Sequence, residues 1–297
     1  MFDPLITLAA ARRRLQHPPA DISSSSNPKW RHLRELLESA RERRRSGQTV
    51  LEGWHLLDAW LATGRPIRQL VIPQRTLQQL AGVPASDGDD IDESVEHSSP
   101  VQVAADAHWL ILDDRLFGEL DLLPSPSPVL AVVDIPQRAL PARLGEGGDI
   151  IVLDRVQDPG NVGAILRTAA AAGVQTLLTT PGTAACWAPK VLRAGMGGHF
   201  VLDIVENVAP EALQALAAHL PLAGTVLQGG QSLYGTDLRS PLAWVFGNEA
   251  RGLSGDEMRL CDALVSIPMT GDAESLNVAS AAATCLFASQ TVRGVEN

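Results

Sequence analysis

The sequence has few cysteines, few aromatic residues and no long apolar run. Its 297 residues include 3 cysteines, too few and too widely spaced for a disulfide framework or a Cys-x-x-Cys metal site. No stretch of about 18 apolar residues occurs, so we expect no membrane-spanning helix. The arginines near the N-terminus follow the apolar patch instead of preceding it, which is not the order of a signal peptide. These absences predict a reduced, cytoplasmic protein.

The common nucleotide and nucleophile signatures are also missing. We find no Gly-x-Gly-x-x-Gly after a strand, no Gly-x-x-x-x-Gly-Lys-Ser/Thr loop and no Gly-x-Ser-x-Gly elbow. A nicotinamide oxidoreductase is therefore disfavoured. The 7 histidines lack metal-ligand spacing, so we expect no metal, and His199 is interpreted as a packed histidine instead of a base.

Charge is distributed unevenly along the chain. The net charge is -10, yet residues 1–45 contain ten Lys/Arg and five Asp/Glu. A local positive surplus attracts phosphate groups, whereas the overall charge describes solubility more than partners. A solvated helix face remains the alternative interpretation of this segment.

Composition divides the chain into four segments. Residues 1–26 read as a flexible extension that ends in a serine run, and residues 27–135 as a small α/β domain. Residues 136–148 are rich in Pro and Gly and are interpreted as a linker. In residues 149–297 apolar strands alternate with helices, which predicts a parallel α/β sheet.

The first of three polar loops at predicted strand ends is "DRVQDPGNVGAILRTAAAAGV". Open α/β sheets place their ligands at this edge. Asn161 is a candidate helix N-cap, and Arg167 follows six residues later among alanines. A buried arginine needs a partner, so Arg167 must reach solvent, an acid or a phosphate. A snorkelling surface arginine is the alternative.

The second and third loops are "WVFGNEARGLS" and "IPMTGDAESLNVASAAATCLF". In the second loop a strand ends at Phe246, and a tight turn at Gly247 and Glu249 exposes main-chain N–H groups to a ligand. A simple strand-to-helix turn is the alternative. In the third loop Ser275 or Asn277 caps the last helix, whose small residues permit close packing.

Together, "DRVQDPGNVGAILRTA", "FGNEARGL" and "IPMTGDAESLNVASAAA" resemble, in order and spacing, the three motifs of the SpoU (TrmH-like) family of RNA ribose 2'-O-methyltransferases. The resemblance covers roughly residues 149–290. The N-terminal half is similar to the L30e-like RNA-binding domain often found ahead of this catalytic domain. The resemblance implies an α/β SPOUT fold, in which the C-terminal segment of the parallel sheet forms a deep trefoil knot. It also implies S-adenosylmethionine as cofactor and a homodimer with the active site near the subunit interface.

The resemblance also implies roles for individual residues, without a metal. Cofactor-binding positions would be Gly247, Ile267 and Leu276, with Phe246 and Met269 beside them. Functional polar positions would be Asn161, Arg167, Glu249, Ser275 and Asn277. RNA contacts would come from the basic N-terminal helices, at Lys29, Arg31, Arg34 and Arg44. Arg167 would orient the 2'-hydroxyl, Asn161 and Glu249 would hold that arginine and the ribose, and Ser275 and Asn277 would order the third loop.

One departure and two rival functions accompany this interpretation. Gly195 stands where the family commonly has a serine, so a polar contact near the site is expected to be lost or replaced. The rivals are a non-catalytic RNA-binding protein with a SPOUT fold and a SPOUT methyltransferase that acts on a base. Ribosomal RNA is favoured over tRNA as substrate, because the two-domain arrangement resembles that of the 23S-directed members.

Overall fold

A computed structural model describes residues 19–76, 107–120, 129–140 and 148–294. The chain forms two compact units, Met1–Ile135 and Pro136–Asn297. Within the described residues, no helix has the length and apolar character needed to cross a membrane.

The N-terminal unit contains a five-stranded sheet in the order β1-β4-β3-β5-β2. Its elements are β1 (Ala20–Ile22), α1 (Pro28–Glu38), α2 (Ala40–Ser46), β2 (Gln48–Glu52), α3 (Trp54–Leu61), β3 (Gln69–Pro73), β4 (His108–Leu112), α4 (Asp114–Gly118) and β5 (Leu130–Asp134). β4 is parallel to β1 and β3, whereas β5 is antiparallel to β2 and β3. The apolar face of α1 packs with these strands, burying Leu33 and Leu36 completely.

The expectation that residues 1–26 form a flexible extension is wrong for β1. Ala20–Ile22 pairs with Leu110–Leu112 of β4, and Ile22 is buried in the core. A strand of three residues has no periodicity of its own, and its partner lies about 90 residues away, so local patterning could not reveal it. Residues 1–18 lie outside the described part of the chain.

The C-terminal unit contains a seven-stranded sheet in the order β10-β12-β9-β11-β6-β7-β8. Its elements are β6 (Ile150–Leu153), α5 (Pro159–Ala171), β7 (Thr176–Thr179), α6 (Pro189–Gly195), β8 (Asp203–Val205), α7 (Pro210–Ala217), β9 (Leu222–Thr225), β10 (Gln231–Ser232), β11 (Ala243–Phe246), α8 (Gly255–Leu260), β12 (Ala263–Ser266) and α9 (Val278–Arg293). Every strand pair is parallel, which confirms the predicted α/β class. The central strands β6 and β11 are buried along their whole length, as strands covered on both faces are. The knot and the L30e-like character of the first unit remain predictions.

Capping residues fix where the two helices of the candidate site begin. The N-cap of α5 is Asp158, whose carboxylate accepts from the Asn161 N–H at 2.8 Å, with Pro159 in the first turn. The expectation that Asn161 is the N-cap is therefore wrong, and its side chain is left available for other contacts. At α9 the cap is Asn277, which accepts from the Ala279 N–H at 2.8 Å.

Glycines allow α5 and α6 to approach each other closely. A Cβ on Gly163 would lie 2.6 Å from the Val191 carbonyl oxygen, so only glycine fits there. A Cβ on Gly195 would lie 2.6 Å from Nδ1 of His199, so the His199 ring occupies the space of the serine expected at position 195. His199 is buried and its Nε2 lies 2.9 Å from the Cys186 carbonyl oxygen. Burial lowers the pKa of His199 to about 4, as for a neutral packed histidine.

Candidate active site

The three polar loops meet at the carboxyl edge of the second sheet, and the carboxylate of Glu249 joins two of them. One of its oxygens accepts from Asn161 Nδ2 and from the Asp158 N–H, both at 3.0 Å. The other oxygen accepts from the Gln157 N–H at 3.1 Å. Glu249 in the second loop therefore holds both the end of the first loop and the start of α5.

The hydrogen bonds at Glu249 also set its ionisation. Partial burial raises the pKa of the carboxyl, and the hydrogen bonds from Asn161, Gln157 and Asp158 outweigh that effect, so the pKa lies below its usual value. Glu249 is therefore ionised at neutral pH. The hydrogen bonds to the ionised carboxylate stabilise the folded state. Because the folded-state pKa is lowered, this stabilisation is present above the unfolded pKa and is lost as the pH falls through the folded pKa.

Asn277 connects the third loop to the same cluster. Its Nδ2 donates to Asn161 Oδ1 at 2.8 Å, while its Oδ1 caps α9. The Asn161 amide thus accepts from Asn277 and donates to Glu249. A chain of three side chains links the three loops across sequence separations of 88 and 116 residues.

Asp154, Arg155 and Asn248 form a second link between the first and second loops that sequence reasoning missed. Asp154 is buried, and its carboxylate accepts from the Ser254 N–H at 2.8 Å and from Arg155 Nε at 3.1 Å. Arg155 adopts a left-handed conformation, with φ of 54°, and its carbonyl accepts from Asn248 Nδ2 at 2.9 Å. An acid directly after a buried strand was the available signal.

Gly247 lets the second loop fold back on itself. A Cβ at this position would lie 2.6 Å from the Gly252 carbonyl oxygen, so a side chain does not fit. Asn248 and Gly252 exchange two main-chain hydrogen bonds of 3.0 and 2.8 Å, and Gly252 has φ of 68°. The loop is therefore a closed turn of defined shape.

A cavity of about 550 Å³ is lined by residues of the second and third loops. Among the residues expected at the cofactor site, Gly247, Ile267, Met269 and Leu276 line this cavity. The lining also includes Ser275, Asn277 and Glu249. Phe246 is completely buried and is not part of the lining, because it is the last residue of β11 and lies inside the sheet.

A fourth segment, at the carboxyl end of β9, also lines the cavity and was missed by sequence reasoning. It consists of residues 225–228, and Thr225 is fixed by donating its hydroxyl to the Val245 carbonyl at 3.1 Å. β9 is the neighbour of β11 in the sheet, so its carboxyl end reaches the same edge. The segment carries no distinctive residue pattern, and only the strand order places it here.

Arg167 does not join this cluster. Its side chain is exposed on α5 and makes no hydrogen bond or ion pair with any part of the chain that the structure describes. The expectation that Asn161 and Glu249 hold Arg167 is therefore wrong within one chain. Six helical residues separate Arg167 from Asn161, which is about 9 Å along the axis and about 120° around it.

The basic residues of the N-terminal unit differ in whether their side chains form ion pairs. Lys29, Arg31, Arg34 and Arg44 are all exposed on α1 and α2. Arg34 donates to Glu38 at 2.8 Å and its guanidinium lies 5.5 Å from the centre of the Trp30 ring. Arg44 has no ion pair within the described ranges.

Comparison with known proteins gives these features a context. The family model described as the SpoU rRNA Methylase family matches residues 149–287. A tRNA/rRNA methyltransferase of Synechocystis, itself uncharacterized, is 32% identical over 90% of this chain and 92% of its own. The 23S rRNA (uridine(2479)-2'-O)-methyltransferase of Streptomyces viridochromogenes is 31% identical over 94% of both chains. An AdoMet-bound rRNA methyltransferase from Sinorhizobium meliloti superposes with a TM-score of 0.75 at 26% identity, over 94% of this chain and 99% of the other.

The parallel sheet, and the cavity enclosed by its carboxyl-end loops, define an α/β protein built like the solved RNA methyltransferases. The chain belongs to the SpoU rRNA methylase family.

Replacing Glu249 by Gln tests the link between the first two loops. A glutamine offers one acceptor oxygen instead of two and carries no charge, so a donor of the first loop loses its partner. A hydrogen bond to a charged group is worth about 1.5–3 kcal/mol, so we expect amide exchange at Gln157 and Asp158 to become about tenfold faster. Hydrogen-exchange mass spectrometry of Glu249→Gln measures this effect.

The matched control is Glu211→Gln, which changes an exposed glutamate in the first turn of α7. Exchange in the first loop should match the wild type in this control. Unchanged exchange in Glu249→Gln would show that the carboxylate does not hold the two loops together.

Proposed function

We propose that this protein transfers a methyl group from S-adenosylmethionine to the 2'-hydroxyl of a ribose in ribosomal RNA. The observation that carries the proposal is the cavity lined by the second and third loops, which the Glu249–Asn161–Asn277 chain links, in a member of the SpoU rRNA methylase family. A full-length relative is named as a 23S rRNA 2'-O-methyltransferase, and a structural neighbour contains AdoMet. Because the substrate is ribosomal RNA, the proposed place of action is the cytoplasm.

The residues around the cavity fit the methyl donor. The cavity volume of about 550 Å³ lies in the range of sites for small organic ligands. Ile267, Met269 and Leu276 provide an apolar wall suited to an adenosine, and the turn at Gly247 brings main-chain groups to the cavity. When bound, S-adenosylmethionine supplies an electrophilic methyl group on a sulfonium that leaves as a neutral thioether.

The chain's own residues must then position and activate the ribose hydroxyl. A 2'-hydroxyl is a weak nucleophile and has to lose its proton as it attacks, and the proposed route for that proton is to solvent by way of a neighbouring RNA phosphate. A guanidinium is a donor without an acceptor site, so the proposed role of Arg167 is to orient the hydroxyl and stabilise the developing alkoxide, not to act as a base. Asn277 keeps the third loop in place through its hydrogen bond to Asn161, and Ser275 is exposed at the cavity beside it.

We also propose that the site is completed in a homodimer. Along α5, Gly160, Ala164, Arg167 and Ala171 follow one another at helical spacing on one partly exposed face. On α9, Phe287 is 46% exposed, and the two helices contact each other. A second copy covering this surface would bury Phe287 and bring Arg167 of one protomer near the cavity of its partner. This arrangement accounts for an arginine that makes no hydrogen bond or ion pair with the described residues of its own chain.

The proposal is tested by methyl transfer from radiolabelled S-adenosylmethionine to separated ribosomal RNA and tRNA. We expect label in ribosomal RNA, recovered as alkali-resistant dinucleotides because a methylated 2'-hydroxyl blocks alkaline cleavage. Arg167→Ala should lower the rate by at least about 100-fold, the usual effect of losing a group that stabilises a developing oxyanion. Cofactor affinity should be unchanged, because Arg167 does not line the cavity. The control Arg193→Ala, on an exposed position of α6, should keep the wild-type rate.

Each alternative outcome contradicts a different part of the proposal. Alkali-sensitive label would assign the methyl group to a base, and label in tRNA alone would overturn the ribosomal substrate. Failure of the wild type to bind S-adenosylmethionine would favour the non-catalytic RNA-binding protein.

The N-terminal unit is proposed to bind RNA through Lys29, Arg31, Arg34 and Arg44. Exposed arginines attract phosphates through charge, and each contact formed releases counterions from the RNA. Arg44 is free of ion pairs in the described part of the chain, whereas Arg34 already interacts with Glu38 and Trp30. Arg44 therefore offers the larger electrostatic gain on binding.

This difference predicts the outcome of two matched substitutions. Arg44→Ala should weaken RNA binding and reduce the slope of log K against log salt by about one unit, since one phosphate contact is lost. Arg34→Ala should have a smaller effect, because its charge is already partly compensated by Glu38. Fluorescence anisotropy with ribosomal RNA fragments at several KCl concentrations measures both slopes. An unchanged slope for Arg44→Ala would remove this residue from the RNA-binding surface.

A further inference from the structure

Arg251 is one of two charged residues in the lining of the cavity, and the other is Glu249. The carboxylate oxygens of Glu249 are already occupied by three donors from the first loop and α5. The Arg251 side chain makes no hydrogen bond or ion pair with the residues that the structure describes. The cavity therefore presents one uncommitted charge, and it is positive.

The main chain of Arg251 is fixed although its side chain is not. Its N–H donates to Asn248 Oδ1 at 3.1 Å, and Asn248 itself donates to the Arg155 carbonyl at 2.9 Å. Gly252 then closes the turn by its two main-chain hydrogen bonds to Asn248. This anchoring fixes the main chain of Arg251 at the cavity, and the exposed side chain extends from that point.

We propose that Arg251 binds the α-carboxylate at the amino-acid end of the methyl donor. This inference rests on the proposed function, because it assigns S-adenosylmethionine to the cavity. The adenosine part of that molecule is neutral and suits the apolar wall, which includes Met258, Ile267 and Leu276. The amino-acid end carries a carboxylate, and a guanidinium binds a carboxylate through two parallel N–H···O hydrogen bonds.

Glu249 does not compete with a ligand for the side chain of Arg251. Glu249 is held by Asn161, Gln157 and Asp158, and those contacts keep its pKa low without Arg251. No ion pair between Glu249 and Arg251 is found in the described residues, although both belong to the same turn. The guanidinium is thus available to an anionic ligand bound in the cavity that Arg251 lines.

Isothermal titration calorimetry with two ligands tests the assignment in the full chain. S-adenosylhomocysteine has the α-carboxylate, whereas 5'-methylthioadenosine has the same adenosine and thioether but no amino-acid end. We expect Arg251→Ala to weaken S-adenosylhomocysteine binding about tenfold, the loss of one charged hydrogen-bonding contact. Binding of 5'-methylthioadenosine should stay within about twofold of the wild type, which also shows that the cavity is intact.

Two further variants complete the design. Arg251→Lys should recover part of the S-adenosylhomocysteine affinity, because lysine keeps the charge but lacks the planar fork. Arg239→Ala is the matched control: Arg239 is an exposed arginine paired with Asp237 and is absent from the cavity lining. Both ligands should bind this control with wild-type affinity.

The outcomes separate this inference from the proposed function. Equal losses for the two ligands would show that Arg251 supports the fold of the turn and would overturn the assignment. Unchanged S-adenosylhomocysteine affinity with a raised KM for RNA would assign Arg251 to an RNA phosphate and overturn it as well. A wild type that binds neither ligand would overturn the proposed function, and the inference with it.

Discussion

The arrangement of the candidate site depends on one carboxylate. Glu249 receives hydrogen bonds from Asn161 and from two main-chain N–H groups, and Asn161 passes the connection on to Asn277. Three loops that are far apart in sequence are thereby linked, and the second and third of them line one cavity. Partial burial alone would raise the pKa of this carboxyl, and the donors reverse that effect. The donors that the Glu249 carboxylate holds in place therefore also stabilise its negative charge.

The sheet makes this convergence possible. All strands of the second unit are parallel, so the loops after β6, β9, β11 and β12 emerge at the same edge. Positions without a side chain then determine how closely the segments approach, with Gly163 between α5 and α6 and Gly247 in the second loop. A site with fixed walls suits a reaction in which positioning contributes most of the catalysis, as expected for attack on an already reactive sulfonium.

Much of this could be predicted from sequence, and the failures have physical reasons. Continuous apolar strands predicted the parallel sheet, and the resemblance of the loops to the family's motifs implied that Gly247, Ile267 and Leu276 lie together. The helix cap was misplaced because Asp158 followed by proline outcompetes Asn161, a choice that depends on local geometry. Residues 225–228 have no distinctive pattern, and strand order alone brings them to the cavity. No sequence pattern could show that Arg167 makes no hydrogen bond or ion pair in the part of the chain that the structure describes.

The most direct test of the account is the affinity of S-adenosylhomocysteine for Glu249→Gln, measured by titration calorimetry beside the wild type. If the carboxylate holds the loops around the donor cavity, the wild type binds and the variant binds at least about tenfold more weakly, since the loss of one charged hydrogen bond already corresponds to that factor. Equal affinity of the two proteins would contradict the account, because the cavity would then bind its ligand without the hydrogen bonds to the Glu249 carboxylate.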